Sequence, residues 1–277
     1  MWQEAELSDR VANGQFDEDD WLISANSRQI LPPHFLQKFA GQALNMHPGL
    51  LPQYAGLHCH QWAIRNGAEM FGATIHYMQS DIDTGAIVAT ESFAISPQDT
   101  GLSLFLRTLK CGSRLVSGVV EKICTNVPLT KIEQNLDQRH LYRHRDALDP
   151  RIDWSWPAQK IIDFIRAGNY VPFASPTYTA ELDQTGHWHI MVLRARLSDR
   201  TPVDQPRGHI IDLTPDGPEI ICGDGKAIVI NRAQAAQTKV SLDDWNVYLT
   251  TFQRPWRQRG RDPRQTPSMN ERYCNGL

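Results

Sequence analysis

ALNMHPGLLPQYAG, residues 43–56, runs apolar for two residues, sets an Asn and a His one residue apart, and breaks at once on proline and glycine. On an extended backbone alternate side chains share a face, so Asn45 and His47 point the same way near the end of a strand. Pro48, Gly49, Pro52 and Gly56 then force an irregular loop. In open α/β sheets that edge is where ligands bind. Taken alone, the pair also fits a turn with a satisfied histidine, so the surrounding segments must decide.

Upstream, WLISA (21–25) reads as a short buried strand, and HFLQKFAG (34–41) as a short helix after Pro32 and Pro33. Downstream, LHCHQWAIRNG (57–67) reads as a helix with Gly67 just past its end. GATIHYM (72–78) reads as a strand, DIDTG (81–85) as a turn and AIVATESFAI (86–95) as extended chain. Residues 100–124 carry Leu102, Phe105, Leu106, Leu109, Val116, Val119, Val120 and Ile123 at helical spacing, with a kink expected near Gly112. Residues 155–168 form another helix, with Ser155 as its N-cap and Pro157 in its first turn. Residues 176–251 are short strands with turn signals such as TPDG (214–217) and GDGK (223–226). Polar, charge-rich residues separate the halves. The expected division is a first domain over 1–134, a linker over 135–150 and a small β-rich domain over 151–277.

Composition sets broad limits. Of the 277 residues 41% are hydrophobic and 21% charged, enough to bury a real core, and the net charge of −3 exerts no global pull on nucleic acid. No apolar run is long enough to cross a bilayer, and the polar, acidic opening segment does not read as a signal peptide. Five cysteines, an odd number without a CxxC pair, suit a reducing cytoplasm. His47, His58, Cys59, His60, Asp81 and Asp83 could ligate a metal. However, His58 and His60 are two apart in a predicted helix and do not share its face, and no spacing matches a common zinc pattern, so no metal is expected.

The turn at 81–85 brings carboxylates to the end of a second strand. An amide, an imidazole and a carboxylate converging at strand ends suit acyl-type transfer. The amide N–H donates to a developing oxyanion. The imidazole moves a proton near neutral pH, and the carboxylate holds it and stabilises its charged form.

These residues also carry a family resemblance. N-x-H-P-x-L-L-P-x-Y-x-G, then a helix, GATIHY and DIDTG resemble the folate-dependent formyltransferases from about Asp20 to Ile95. RIDWSWPAQKIIDFIRAGN (151–169) and RGHIIDLTPDGPEIICGDGKAIVI (207–230) resemble the C-terminal domain of the methionyl-tRNA-acting members. The resemblance implies an α/β fold: a Rossmann-like formyltransferase domain followed by a small β-rich, OB-like domain. Family members run through two βα units, of about 30 residues each, before the strand matching WLISA. With only about 20 residues there, the first units are expected to be missing, the sheet to be truncated, and its edge to be covered by a homodimer or another partner.

It also implies roles. Asn45, His47 and Asp83 would be catalytic, with Asn45 and protonated His47 stabilising the oxyanion and Asp83 holding His47. The co-substrate would be 10-formyltetrahydrofolate, with no metal. Its pterin would lie against loops matching Ser27–Leu31 and Gln79–Asp83, giving Arg28, Gln29, Leu31, Ser80, Asp81 and Ile82 as binding residues, while Thr74 and His76 line the wall. The acceptor would be a small-molecule amine, either an amino-sugar nucleotide or an amino-acid-like amine such as hydroxyornithine. Methionyl-tRNA is the alternative, weakened because the basic clusters RHLYRHR (139–145) and RPWRQRGRDPR (254–264) read as a linker and a tail. A non-catalytic folate-binding or interaction module is the reading from another class.

Overall fold

The computed structural model describes residues 13, 19–27, 31–39, 41–143, 146, 149–182, 190–200, 204–235 and 238–239. Its first part is a four-stranded sheet in the order β1-β2-β4-β5. Strand β1 (Leu22–Ala25) runs parallel to β2 (Ala43–His47). Strands β4 (Met70–Tyr77) and β5 (Ile87–Ala94) continue antiparallel. Between β1 and β2 lie a short helix α1 (Pro33–Leu36) and a 3-10 turn at Gln37–Phe39. Between β2 and β4 come the two-residue strand β3 (Ala55–Gly56) and helix α2 (Cys59–Arg65), after which Gly67 takes φ +65°. These segments match the expected order.

Alternation along β2 and β4 separates core from site. Leu44, Met46 and Ile75 face the long helix α3 (Gly101–Cys124) and pack in one cluster with Val88, Cys111 and Val119. Each such large apolar side chain contributes about 1.5–3 kcal/mol by leaving water. The register pairs Asn45 with His76 and His47 with Thr74, so these four polar residues share the opposite face. A one-residue slip would exchange the two sets, which pins the register.

Helix α3 is helical throughout. Thr100 caps it through Ser103 N–H, and Ser103 Oγ accepts the Thr100 N–H in return. Gly112 serves close approach: a Cβ there would come within 2.5 Å of Met46 Sδ on β2.

After α3, residues 132–142 return to the first sheet. Ile132 bridges Ile87, and strand β6 (Leu141–Tyr142) pairs parallel with β3. Helix α4 (Ala158–Gly168) then packs Ile161, Phe164 and Ile165 on an antiparallel sheet of β7 (Ile190–Leu197), β8 (Ile210–Thr214), β9 (Gly217–Ile221), β10 (Ala227–Ala235) and β11 (Thr238–Lys239). The helix starts later than expected, and Ser155 is not its cap. Ser155 N–H is taken by Asp153 Oδ1 in a preceding turn, and the N-terminal Ala158 N–H donates instead to Asp224 Oδ1, 3.2 Å away in the GDGK turn.

The two parts meet along α2 and α4. Gln61 Nε2 donates to Ala167 O at 3.1 Å, Thr177 Oγ1 donates to Gln61 Oε1 at 2.8 Å, and His60 Nε2 bonds Tyr170 OH. Among the described residues no helix is long and apolar enough to cross a membrane.

Candidate active site

The four polar residues of the β2–β4 face meet the turn after β4. Asp83 occupies the left-handed region at φ +56°, uncommon for a residue with a side chain. This conformation accompanies a carboxylate directed between two imidazoles. Asp83 Oδ2 lies 3.4 Å from His47 Nδ1, and Oδ1 lies 3.4 Å from His76 Nε2. Oδ2 also accepts the Gly56 N–H at 2.8 Å. His47 Nε2 donates to Tyr54 O at 2.6 Å and lies 3.8 Å from Cys59 Sγ. Asn45 Nδ2 lies 3.2 Å from His76 Nε2, while His76 Nδ1 donates to Tyr77 O at 2.8 Å. Thr74 Oγ1 donates to Gly49 O at 2.8 Å and receives the Leu51 N–H, fastening the Pro/Gly loop to the sheet.

His76 Nε2 therefore stands between a donor and an acceptor. When neutral it accepts an Asn45 amide N–H; when protonated it donates to Asp83. His47, with Nε2–H committed to Tyr54 O, presents a lone pair to Asp83 when neutral and an N–H when charged. Asn45 has a second amide N–H that nothing among the described residues engages.

Burial and charge pull against each other. Burial raises the Asp83 carboxyl, but the His76 hydrogen bond, the His47 charge and the Gly56 N–H outweigh it and hold the group down at about 2. Burial pushes the His47 imidazole below its usual value, and Asp83 and the Tyr54 carbonyl oppose that shift. Burial also raises the Cys59 thiol well above its usual range, so it stays protonated beside His47.

The sequence-derived catalytic residues Asn45, His47 and Asp83 lie in one network. Asp83 meets His47 directly, and Asn45 reaches Asp83 through His76. His76, expected only as a wall residue, is the link; its register partner Asn45 was the available signal. Among the expected cofactor residues, Arg28 and Gln29 lie outside the described residues. Leu31, like Met78, packs against the small apolar cluster of Phe35, Phe39 and Ala43. Ser80, Asp81 and Ile82 lie exposed in the turn, where Asp81 O accepts from Thr84 Oγ1. Residues 134–142 also touch the site, which their charge-rich sequence did not announce: Gln134 Nε2 donates to Asp83 O and Gly85 O.

Comparison with known proteins places these residues in context. Residues 3–120 match the formyl transferase model, and residues 146–247 match that of the formyl transferase C-terminal domain. The chain is 31% identical over 219 residues to a methionyl-tRNA formyltransferase of Verminephrobacter eiseniae, covering 79% of this chain and 66% of that protein. It is 44% identical over 81 residues to a phosphoribosylglycinamide formyltransferase of Haemophilus influenzae, covering 29% of this chain and 38% of that one. The chain thus spans just under two thirds of the first relative and less of the second. Among solved structures, an N-formyltransferase from Helicobacter canadensis in complex with folinic acid and dTDP-3-aminofucose superposes with a TM-score of 0.60 at 21% identity, over 79% of this chain and 73% of that one.

Proposed function

The chain belongs to the formyl transferase family, and from that premise we propose that it transfers a formyl group from 10-formyltetrahydrofolate to the amine of a small molecule. The observation that carries this reading is the bridging of His47 and His76 by one buried carboxylate, Asp83, beside Asn45. The co-substrate would supply an activated formyl carbon, and Leu31, Ser80, Asp81 and Ile82, together with Arg28 and Gln29 from the sequence reading, are the residues assigned to bind it.

The acceptor nitrogen attacks the formyl carbon, a C–N bond forms, and the carbonyl oxygen gains negative charge. Asn45 donates its free amide N–H to that oxygen. His47 adds positive charge when protonated, and Asp83 stabilises that form. The amine proton leaves through the Asp83–imidazole network, the bond to the folate nitrogen breaks, and that nitrogen takes up a proton.

The acceptor in this proposal is an amino-sugar nucleotide or an amino-acid-like amine such as hydroxyornithine. The Helicobacter canadensis likeness and the net charge of −3 support it. Methionyl-tRNA is the second reading, favoured by the likeness to the Verminephrobacter eiseniae protein across both parts of the chain. The proposal includes a cytoplasmic location, a division at 1–134, 135–150 and 151–277, and a homodimer or partner strand along β1. Incubation with 10-formyltetrahydrofolate and a panel of these acceptors tests it, with formylated product as readout. Product absent with every acceptor, together with no folate hydrolysis, would leave the non-catalytic module standing.

A further inference from the structure

We propose that Gln134 and Arg139 are positioning residues for Asp83, acting through the turn at 82–85; the inference rests on the formyl-transfer reading. The turn holds a non-glycine residue in the left-handed region, a conformation unfavourable for a residue with a side chain. Such a residue persists only when its surroundings over-determine it. The restraint comes from outside the turn. Gln134 Nε2 donates to Asp83 O at 3.0 Å and to Gly85 O at 2.7 Å, and Arg139 Nη2 donates to Ile82 O at 2.6 Å. Three carbonyls around one residue are thus held by two side chains about fifty residues away in sequence.

The same segment grips the loop that carries the other side of the network. His140 N–H donates to Pro52 O at 3.2 Å, Ala55 N–H to His140 O at 2.9 Å, and Leu57 N–H to Tyr142 O at 2.8 Å. That loop supplies Tyr54 O to His47 and Gly56 N–H to Asp83. One strip of chain therefore sets the separation between the acid and its imidazole. The segment is itself fixed by the Ile87–Ile132 bridge and by Asn135, whose side chain accepts the Asp137 N–H.

The arrangement is not what stability alone would select. Gln134 Oε1 and Arg139 Nε are buried and have no hydrogen-bond partner among the described residues. Leaving a buried polar group unsatisfied is destabilising. Both side chains tolerate that cost while their other atoms hold the turn, a pattern expected where geometry at a site outranks stability.

The test uses the full chain as wild type, Gln134→Ala, Gln134→Glu, Arg139→Ala and Arg139→Lys, with Asp83→Asn as reference. Gln134→Glu replaces the donating amide with a carboxylate that the carbonyls repel; Arg139→Lys keeps a donor for Ile82 O. Turnover is expected to fall about 10- to 100-fold in Gln134→Ala, with KM for the folate within about threefold and partial recovery in Arg139→Lys relative to Arg139→Ala. By NMR, the His47 ring signals of Gln134→Ala should move toward those of Asp83→Asn. Wild-type His47 signals in folded Gln134→Ala and Arg139→Ala would overturn the inference, as would an unchanged turnover. Because the ring signals need no substrate, an inactive wild type with shifted signals in Gln134→Ala would count against the formyl-transfer reading and leave the clamp supported.

Discussion

Asp83 Oδ2 and His47 Nδ1 face each other across 3.4 Å with side chains 9% and 4% exposed. Water screens such a pair weakly, so the protonation of either group depends on the other.

Asp83 links this pair to acid stability. Its carboxyl is held at about 2, below the ordinary 3.8. A depressed acid contributes stability above its unfolded pKa and loses it as pH falls through the folded one. Wild type should therefore lose about 2 kcal/mol on this account between about pH 4 and pH 2. Asp83→Asn should lack that component in urea titrations and should also lower turnover by about 100-fold or more. An identical acid limb in both proteins would show that Asp83 is not held down in the fold.

Asn45→Ala and His47→Ala should each reduce turnover by about 100-fold or more, the range for losing an oxyanion donor or a proton-transfer group. Asn45→Ala should leave the far-UV circular dichroism of the wild type, because Asn45 is only half-buried on the site face. Full activity in either variant would remove that residue from the chemistry.

Gly49 has a narrower prediction. A Cβ at this position would meet His47 Nε2 and Tyr54 O, each at 2.6 Å, the two ends of one hydrogen bond. Gly49→Ala should cost about 1–3 kcal/mol of stability and lower kcat by displacing His47. Thermal unfolding and steady-state kinetics check both; a variant that keeps wild-type kcat would mean the loop yields without moving the imidazole.

His60 predicts a separate pH effect. Burial, with the His58 charge adding to it, pushes its imidazole down to about 3. The folded state thus resists a proton that the unfolded chain accepts below about 6.5. Stability should fall as pH drops through that window, by up to about 1.4 kcal/mol per pH unit. His60→Gln should flatten the dependence between pH 6.5 and 5 in urea unfolding, and an unchanged slope would place the effect elsewhere.

The succession of strands along the chain and the long helix were legible from period-2 and helical spacing, and alternation placed Asn45 and His47 on one face, opposite Leu44 and Met46. The capping of α4 was not, because Asp224 reaches Ala158 from 66 residues away and no local pattern marks the pairing. The roles of Gln134 and Arg139 were hidden for the same reason. Their segment is polar and charge-rich because it lies at the surface, yet its side chains turn inward to carbonyls of the 82–85 turn. His76 was visible as a strand residue, but its place between Asn45 and Asp83 depends on a register and a turn conformation that only the folded chain displays.

The acceptor question has its own measurement. Binding of methionyl-tRNA should be weak and should weaken little with added salt if phosphate contacts are few. Tight binding with a steep salt slope would favour the tRNA reading over the small amine.

The central claim is tested most directly by following label from isotope-labelled 10-formyltetrahydrofolate into dTDP-3-aminofucose, hydroxyornithine and methionyl-tRNA, with wild type and Asn45→Ala side by side. The account predicts labelled formamide on a small-molecule amine with wild type and about 100-fold less with Asn45→Ala. Equal labelling by the two proteins, or none with any acceptor, would contradict it.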